Sequence, residues 1–357
     1  MNRIETPHGD LSLPAFLPDA TRGAVRTLEA RDVAGCGLEA LMVNALHLLI
    51  HPGGTVISSL GGIHSFMGWE GPVASDSGGF QVLSLINGSP RAGVVTHQGF
   101  SYRLSKEHKK RKLTPKTSIH RQLRLGADIL FCLDHCTHPE SNPGTQRESV
   151  ENTVRWAKAC REAFDSSVTE TEGRRPLLFG IIQGGESREL RLECAQRLLE
   201  IGFDGYGYGG WPIDREGNLL PSVECTAQLI PQGLPKHALG IGKPENLVRA
   251  FRMGYDLFDC VIPTRDARHR RLYVFAERPS SIDLGDPGFY SKLYMEDKKH
   301  ARESRPVDET CDCACCSRYS RAYLHHLFKI DDPVALRLAT IHNLRFYARL
   351  MEHLRKT

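Results

Sequence analysis

The chain has 357 residues, 40% of them apolar and 25% charged, with a formal net charge of +4. This composition excludes a disordered chain and a collagen-like repeat, and no apolar run approaches the roughly 20 residues of a membrane helix. The opening residues MNRIETPHGDL carry no apolar signal core, so a cytoplasmic protein is expected.

In chain order, short apolar runs alternate with longer amphipathic ones. Residues 40–44, 72–75, 128–133, 177–182, 205–208, 237–241, 258–262 and 272–276 read as strands. In 147–164, Val150, Val154, Ala157, Cys160 and Phe164 recur every three or four positions, which predicts a helix with one buried face. Ser187 is placed to cap a helix that turns Leu190, Cys194, Leu198 and Leu199 inward. A further helix is predicted over 334–354. Strand–helix alternation repeated about eight times points to an α/β fold, a (β/α)8 TIM barrel, with a doubly wound sheet as the alternative.

Polar and glycine-rich residues follow several strands: Asp76-Ser77-Gly78-Gly79, Asp134, Gln183-Gly184-Gly185, Gly209-Gly210, Gly242-Lys243, and Asp259 with Thr264-Arg265. In a barrel these ends meet on one face, where active sites are built. Asp76, Asp134 and Asp259 each end or interrupt an apolar strand. A carboxylate beside a core needs a partner or a task, and three on one face suggest base recognition, proton transfer or nucleophilic attack. Retaining glycosyl transfer needs two such groups.

Positive charge is concentrated in two stretches. Residues 103–112 carry six Lys and Arg against one acid, and 263–273 carry four against one. Two basic stripes near such chemistry suit a polyphosphate partner.

Of the 11 cysteines, six (Cys36, Cys132, Cys136, Cys160, Cys194, Cys225) are scattered singly and read as reduced thiols. Cys311, Cys313, Cys315 and Cys316 are clustered, and His342 follows in the last predicted helix. Cys311, Cys313, Cys316 and His342 suit a closed tetrahedral structural Zn2+ site. Cys315 is the alternative to Cys316. Four protein ligands leave no position for water, so the metal is not expected to be catalytic.

Seven segments together carry a resemblance: TPHGDLSLPAFLPDATRG (6–23), ASDSGGFQVLSL (74–85), FGIIQGG (179–185), GIGKPENL (240–247), FDCVIPTR (258–265), CDCACCSRYSRAYLHHL (311–327) and HNLRFY (342–347). Over nearly its whole length the sequence resembles the tRNA-guanine transglycosylases, or queuine tRNA-ribosyltransferases. The resemblance implies a barrel over 1–285 and a zinc-bearing subdomain over 286–357, with a C-terminal helix that completes the barrel. It implies exchange of the wobble guanine in U-G-U anticodon loops of tRNA for a 7-deazaguanine base, in queuosine biosynthesis, with no ATP or redox cofactor.

By position, the resemblance makes Asp259 the nucleophile and Asp76 the general acid/base. Asp134, Gln183 and the Gly209–Gly210 backbone would read the base, and Phe80 would stack on it. Asn44 and Gln81 would orient the nucleophile or ribose, and Ser77 would lie beside the acid/base carboxylate. Lys243, Arg265 and Arg268 would contact the anticodon stem-loop, with 103–112 a weaker candidate for backbone contact. A homodimer through the region of Tyr319, Tyr323, His325 and His326 is implied as well. The loop Trp211-Pro212-Ile213-Asp214 departs from the family pattern. Phe80 resembles users of queuine, whereas Cys136 and Ile213 resemble users of 7-aminomethyl-7-deazaguanine. A bulky Ile213 favours the smaller base. A paralogue acting on DNA and a noncatalytic RNA-binding subunit are the alternatives. The second should have lost Asp76 or Asp259, and both are present.

Overall fold

Eight short parallel strands, nearly all apolar and buried on both faces, form the centre of the molecule. The computed structural model describes residues 3–89, 91–104, 109–138, 140–168, 174–277 and 282–357. Residues 105–108 of the first basic stretch lie outside the described residues. The strands are β1 (Ala15–Pro18), β2 (Leu41–Asn44), β3 (Val73–Asp76), β4 (Ile129–Phe131), β5 (Leu177–Ile182), β6 (Gly205–Tyr208), β7 (Lys236–Ala238) and β8 (Leu257–Cys260). They pair in the order β1-β8-β7-β6-β5-β4-β3-β2. A bridge between Asp19 and Met42, supported by Ala20 N–H donating to Met42 O at 2.7 Å, joins β1 to β2 and closes the barrel. Continuous apolar strands are what a sheet covered on both faces requires.

The barrel interior is packed by residues that include Leu17, Ile129, Phe131, Phe179, Ile181 and Leu257. β6 reads Gly-Tyr-Gly-Tyr because its neighbour fills the space. A Cβ on Gly205 would lie 2.5 Å from the Phe179 ring, and one on Gly207 would lie 2.7 Å from Ile181. Only hydrogen fits there, which leaves room toward the strand ends.

The helices predicted in sequence are present. Pro143–Asp165 buries Val150, Val154, Ala157, Cys160 and Phe164. Arg188–Ile201 is capped by the Ser187 side chain, which accepts from Leu190 N–H. Pro333–Leu354 buries most of its residues against the barrel.

One predicted barrel strand is corrected. Residues 272–276 do not enter the barrel; Arg271–Phe275 pairs antiparallel with Tyr290–Tyr294. Its Tyr273 and Phe275 stack on Phe346 of the last helix, at 5.4 and 4.1 Å between ring centroids. The eighth barrel position is taken instead by Ala15–Pro18, in register with Leu257–Cys260.

At the N-terminal ends of the strands, a hairpin of Arg3–Thr6 with Gly9–Ser12 covers the barrel. Asp128 ties it down. One carboxylate oxygen accepts from His8 Nδ1 and His8 N–H, at 2.7 and 3.0 Å. The other is 3.0 Å from His64 Nε2 and 2.7 Å from Val73 N. Burial opposes the charge of Asp128, but these hydrogen bonds prevail and hold its carboxyl below the usual range.

Candidate active site

The C-terminal strand ends open into a cavity of about 610 Å3 whose lining includes Asp76, Ser77, Phe80, Gln81, Asp134, Gly209, Gly210 and Asp259. Residues far apart in sequence meet here because each follows a different strand of one closed sheet. The cavity lies at the barrel face where (β/α)8 enzymes carry their chemistry.

Asp76 is the last residue of β3. Its carboxylate accepts from Asn44 Nδ2, from Gln81 Nε2 at 3.2 Å and from Ala45 N–H at 3.3 Å. Asn44 is fixed in turn because its carbonyl oxygen caps the next helix, accepting from His47 N–H at 2.9 Å. Burial pushes the Asp76 carboxyl up to about 7, opposed by the Ala45 and Asn44 donors and assisted by the negative charge of Asp259. A carboxyl poised near neutrality can give and take a proton under ordinary conditions. Ser77 is buried beside it, and its hydroxyl accepts from Gly79 N–H at 3.3 Å.

Asp259 lies in β8 with 21% of its side chain exposed. One oxygen accepts from His237 Nε2 at 2.9 Å and from Gly240 N–H at 3.2 Å. His237 is fully buried in β7, and its Nδ1 has no partner among the described residues. It was not singled out in the sequence. The signal was the parallel register His237 to Leu257, with Asp259 two residues further along the same face.

Asp134 accepts from Gln183 Nε2 at 2.7 Å. Burial pushes its carboxyl up to about 6, against the pull of that amide. Among the described residues Gln183 Oε1 is buried without a partner, and a Cβ on Gly209 would lie 2.6 Å from Gln183 Nε2. Glycine at 209 therefore lets the amide stand against the backbone. A second unforeseen residue secures this wall. Arg191 is 1% exposed and donates to the carbonyls of Gly185, Ile182 and Gly209 at 2.7, 3.2 and 3.1 Å. Nothing in its helical sequence context distinguishes it from a surface arginine.

Phe80 is 47% exposed at the rim, edge-on to Trp211 at 5.7 Å between ring centroids. Trp211, Pro212, Ile213 and Asp214 hang over the cavity. Burial pushes the thiols of Cys136 and Cys260 up to about 12, so neither is a ready nucleophile near neutral pH.

The expected basic contacts lie outside this lining. Arg265 is exposed and Arg268 half-buried on the helix Ile262–Arg268 directly after β8. Burial, then the charge of Arg26, lowers the Arg268 guanidinium from its ordinary value. Lys243 Nζ donates to Gly217 O at 3.3 Å.

Cys311, Cys313, Cys316 and His342 are buried, and their ligating atoms lie within 4.8 Å of one another. A tetrahedron with 2.3 Å metal–sulfur bonds has edges of about 3.8 Å, so the set can hold a metal ion. His342 Nε2 lies 2.7 Å from Tyr273 O and donates to it, turning Nδ1 toward Cys316 Sγ at 3.2 Å. Cys315 is buried but is not in this cluster.

Among the described residues no helix is long and apolar enough to cross a membrane. A family model described as queuine tRNA-ribosyltransferase matches residues 1–357. The chain is 38% identical over 355 residues to a queuine tRNA-ribosyltransferase of Desulfosudis oleivorans, covering 99% of this chain and 87% of that one. It is 36% identical over 385 residues to a putative queuine tRNA-ribosyltransferase of Archaeoglobus fulgidus, covering 100% and 92%. A queuine tRNA-ribosyltransferase of Staphylococcus aureus is 36% identical over 354 residues, covering 99% and 87%. With the family match running the full length and the carboxylates gathered at one barrel mouth, the chain belongs to the queuine tRNA-ribosyltransferase family.

Proposed function

We propose that the protein exchanges the wobble guanine of tRNA for a 7-deazaguanine through a covalent glycosyl–enzyme intermediate. The observation that carries this reading is the convergence of Asp76 and Asp259 on one cavity, with Asp76 pushed up to about 7. The free oxygen of Asp259 attacks ribose C1′ while Asp76 protonates the departing guanine. The ribose is then bonded to Asp259 and the Asp76 carboxylate is charged. The incoming base attacks C1′ from the side guanine left, Asp76 takes its proton, and the Asp259–C1′ bond breaks. Two inversions give retention. His237 and Gly240 N–H hold one Asp259 oxygen, which orients the other. Asp134 and Gln183 read the donor edge of the base, and Phe80 supplies a flat face for stacking. Asn44 and Gln81 orient Asp76, and Ser77 lines the same corner.

Lys243, Arg265 and Arg268 contact the anticodon loop. Trp211 and Ile213 line the cavity, and the bulk of Ile213 favours 7-aminomethyl-7-deazaguanine over queuine. Cys311, Cys313, Cys316 and His342 hold a structural zinc that joins the cysteine loop to the last helix; no catalytic step passes through it. The catalytic part takes residues 1–285 and the metal-bearing part 286–357, whose C-terminal helix completes the barrel; the hairpin of Arg271–Phe275 with Tyr290–Tyr294 bridges the two. The protein works in the cytoplasm. A homodimer through the stacked Tyr319–Tyr323 pair, of which Tyr323 is 42% exposed, fits the same reading.

Incubation with a U-G-U stem-loop and each candidate base, followed by nucleoside mass spectrometry, tests the reaction. Incorporation of a 7-deazaguanine supports it. Failure with every base, together with no exchange of labelled guanine, overturns it.

Asp76 predicts the pH dependence. Its acid form is present below about pH 7, so guanine release should slow as pH rises through that value. In Asp76→Asn exchange should be lost, together with that limb of the profile. Because the folded-state pKa is raised, the contribution of Asp76 to stability is largest at low pH and is lost as pH rises through about 7. Asp76→Asn should therefore be more stable than the unmutated protein at pH 8 by roughly 1–3 kcal/mol, and unfold at a higher temperature. A lower melting temperature at pH 8 would contradict this.

A further inference from the structure

A long stretch of positive charge lies outside the cavity, the arginines after β8 and the metal cluster. From residue 109 to residue 127 the chain contains seven Lys and Arg and no Asp or Glu. Among the described residues none of the seven forms an ion pair.

The fold arranges these charges in a line. Arg111–Leu113 is an edge strand of a three-stranded antiparallel sheet, with Lys110 and Lys112 exposed. One residue later the helix Pro115–Leu125 begins, capped by Thr114. Lys116, His120 and Arg124 recur every fourth position on its exposed face, while Ile119, Gln122 and Leu125 are buried on the other. Arg121 joins the two parts by donating to Lys112 O at 3.4 Å.

The helix starts beside the cavity. Ser118 Oγ donates to Ser77 O at 3.0 Å, which places the first turn of the helix beside the neighbour of Asp76. From there the helix runs about 16 Å down the barrel side, at 1.5 Å per residue. It lies between β3 and β4, three strands around the barrel from β8 and its arginines. Two basic surfaces thus flank one mouth. Like charges four apart on a helix cost stability, and a polyanion laid along them offsets that cost and releases counterions.

We propose that the exposed stripe formed by Lys110, Lys112, Lys116 and Arg124 binds the phosphodiester backbone of the RNA stem next to the loop whose base enters the cavity. The identity of the RNA rests on the base-exchange reading; the charge complementarity does not. Phosphate contacts of this kind set register and affinity without reading sequence.

The test is the triple variant Lys112→Gln, Lys116→Gln, Arg124→Gln, with the charge-retaining variant Lys112→Arg, Lys116→Arg, Arg124→Lys and the control Lys329→Gln on the helix Arg321–Lys329. Binding of a U-G-U stem-loop is measured across a salt series, and steady-state exchange at one salt concentration. The triple variant should raise Kd and KM about tenfold or more at low salt, leave kcat unchanged, and flatten the plot of log K against log salt by about two to three units. The charge-retaining and control variants should behave like the unmutated protein. Unchanged Kd and slope in the triple variant overturn the proposal. So does loss of binding to anionic phospholipid vesicles with RNA binding intact. If the unmutated protein binds the stem-loop without exchanging any base, and the triple variant loses that binding, the stripe stands and the base-exchange reading falls.

Discussion

Asp259→Ala is expected to lower base exchange by at least about 10⁴-fold, because the variant has no group to carry the ribose. The neighbouring thiols cannot substitute, since burial holds Cys136 and Cys260 near 12. The decisive measurement is a denaturing gel of protein incubated with stem-loop RNA in the absence of an incoming base. The unmutated protein should show a slowly migrating RNA adduct, and Asp259→Ala none. His237→Phe should form the adduct slowly. It keeps a ring in a fully buried position but loses the 2.9 Å hydrogen bond to Asp259. A kcat lowered about 10–100-fold at unchanged KM identifies a residue that orients the nucleophile without binding substrate. An adduct in Asp259→Ala would move the covalent step to another residue and dismantle the mechanism.

The second large effect belongs to the metal cluster. His342→Ala or Cys316→Ser should abolish stoichiometric zinc binding and cost about 3 kcal/mol or more of stability. His342 is fully buried and anchors Tyr273 O, so its loss leaves that carbonyl unpaired as well as the metal short of a ligand. The next residue, Asn343, donates to Pro263 O at 3.0 Å and Arg271 O at 2.9 Å, on either side of the arginines after β8. Mild chelation should therefore raise KM for RNA before kcat falls. Cys315→Ser should retain one zinc per chain, since Cys315 lies outside the ligand cluster. Metal content by mass spectrometry and thermal unfolding check both statements. Full zinc occupancy in His342→Ala would remove the imidazole from the ligand set.

Seven of the eight barrel strands were legible because each is an apolar run followed by a turn or glycine-rich signal. Ala15–Pro18 was not. It is four residues long and stands between Pro14 and the Pro18 that ends it, and proline argues against a central strand. Residues 272–276 carry the same alternation of apolar side chains, but pattern alone does not distinguish a barrel strand from one packed against a helix. What excludes it is tertiary: Asn343 Oδ1 accepts from Tyr273 N–H at 3.1 Å, which binds the strand to the last helix. The candidate carboxylates were visible because acids at apolar strand ends are costly. His237 and Arg191 were not, since each acts through a partner on another strand or loop, and a single sequence does not display that pairing.

The last helix, Pro333–Leu354, and the residue that ends it reach back to the start of the chain. Arg355 donates to Pro14 O at 3.1 Å and Ser12 O at 3.0 Å, across sequence separations of 341 and 343 residues. Tyr347 Oη donates to Gly242 O at 2.6 Å, under the loop that follows β7. During synthesis on the ribosome, β1 must therefore wait for β8, and the residues just before it for Arg355, before their partners are in place. Contacts of such long range make for slow maturation, and the nascent polypeptide should depend on chaperones that shield unfinished sheet edges until translation ends.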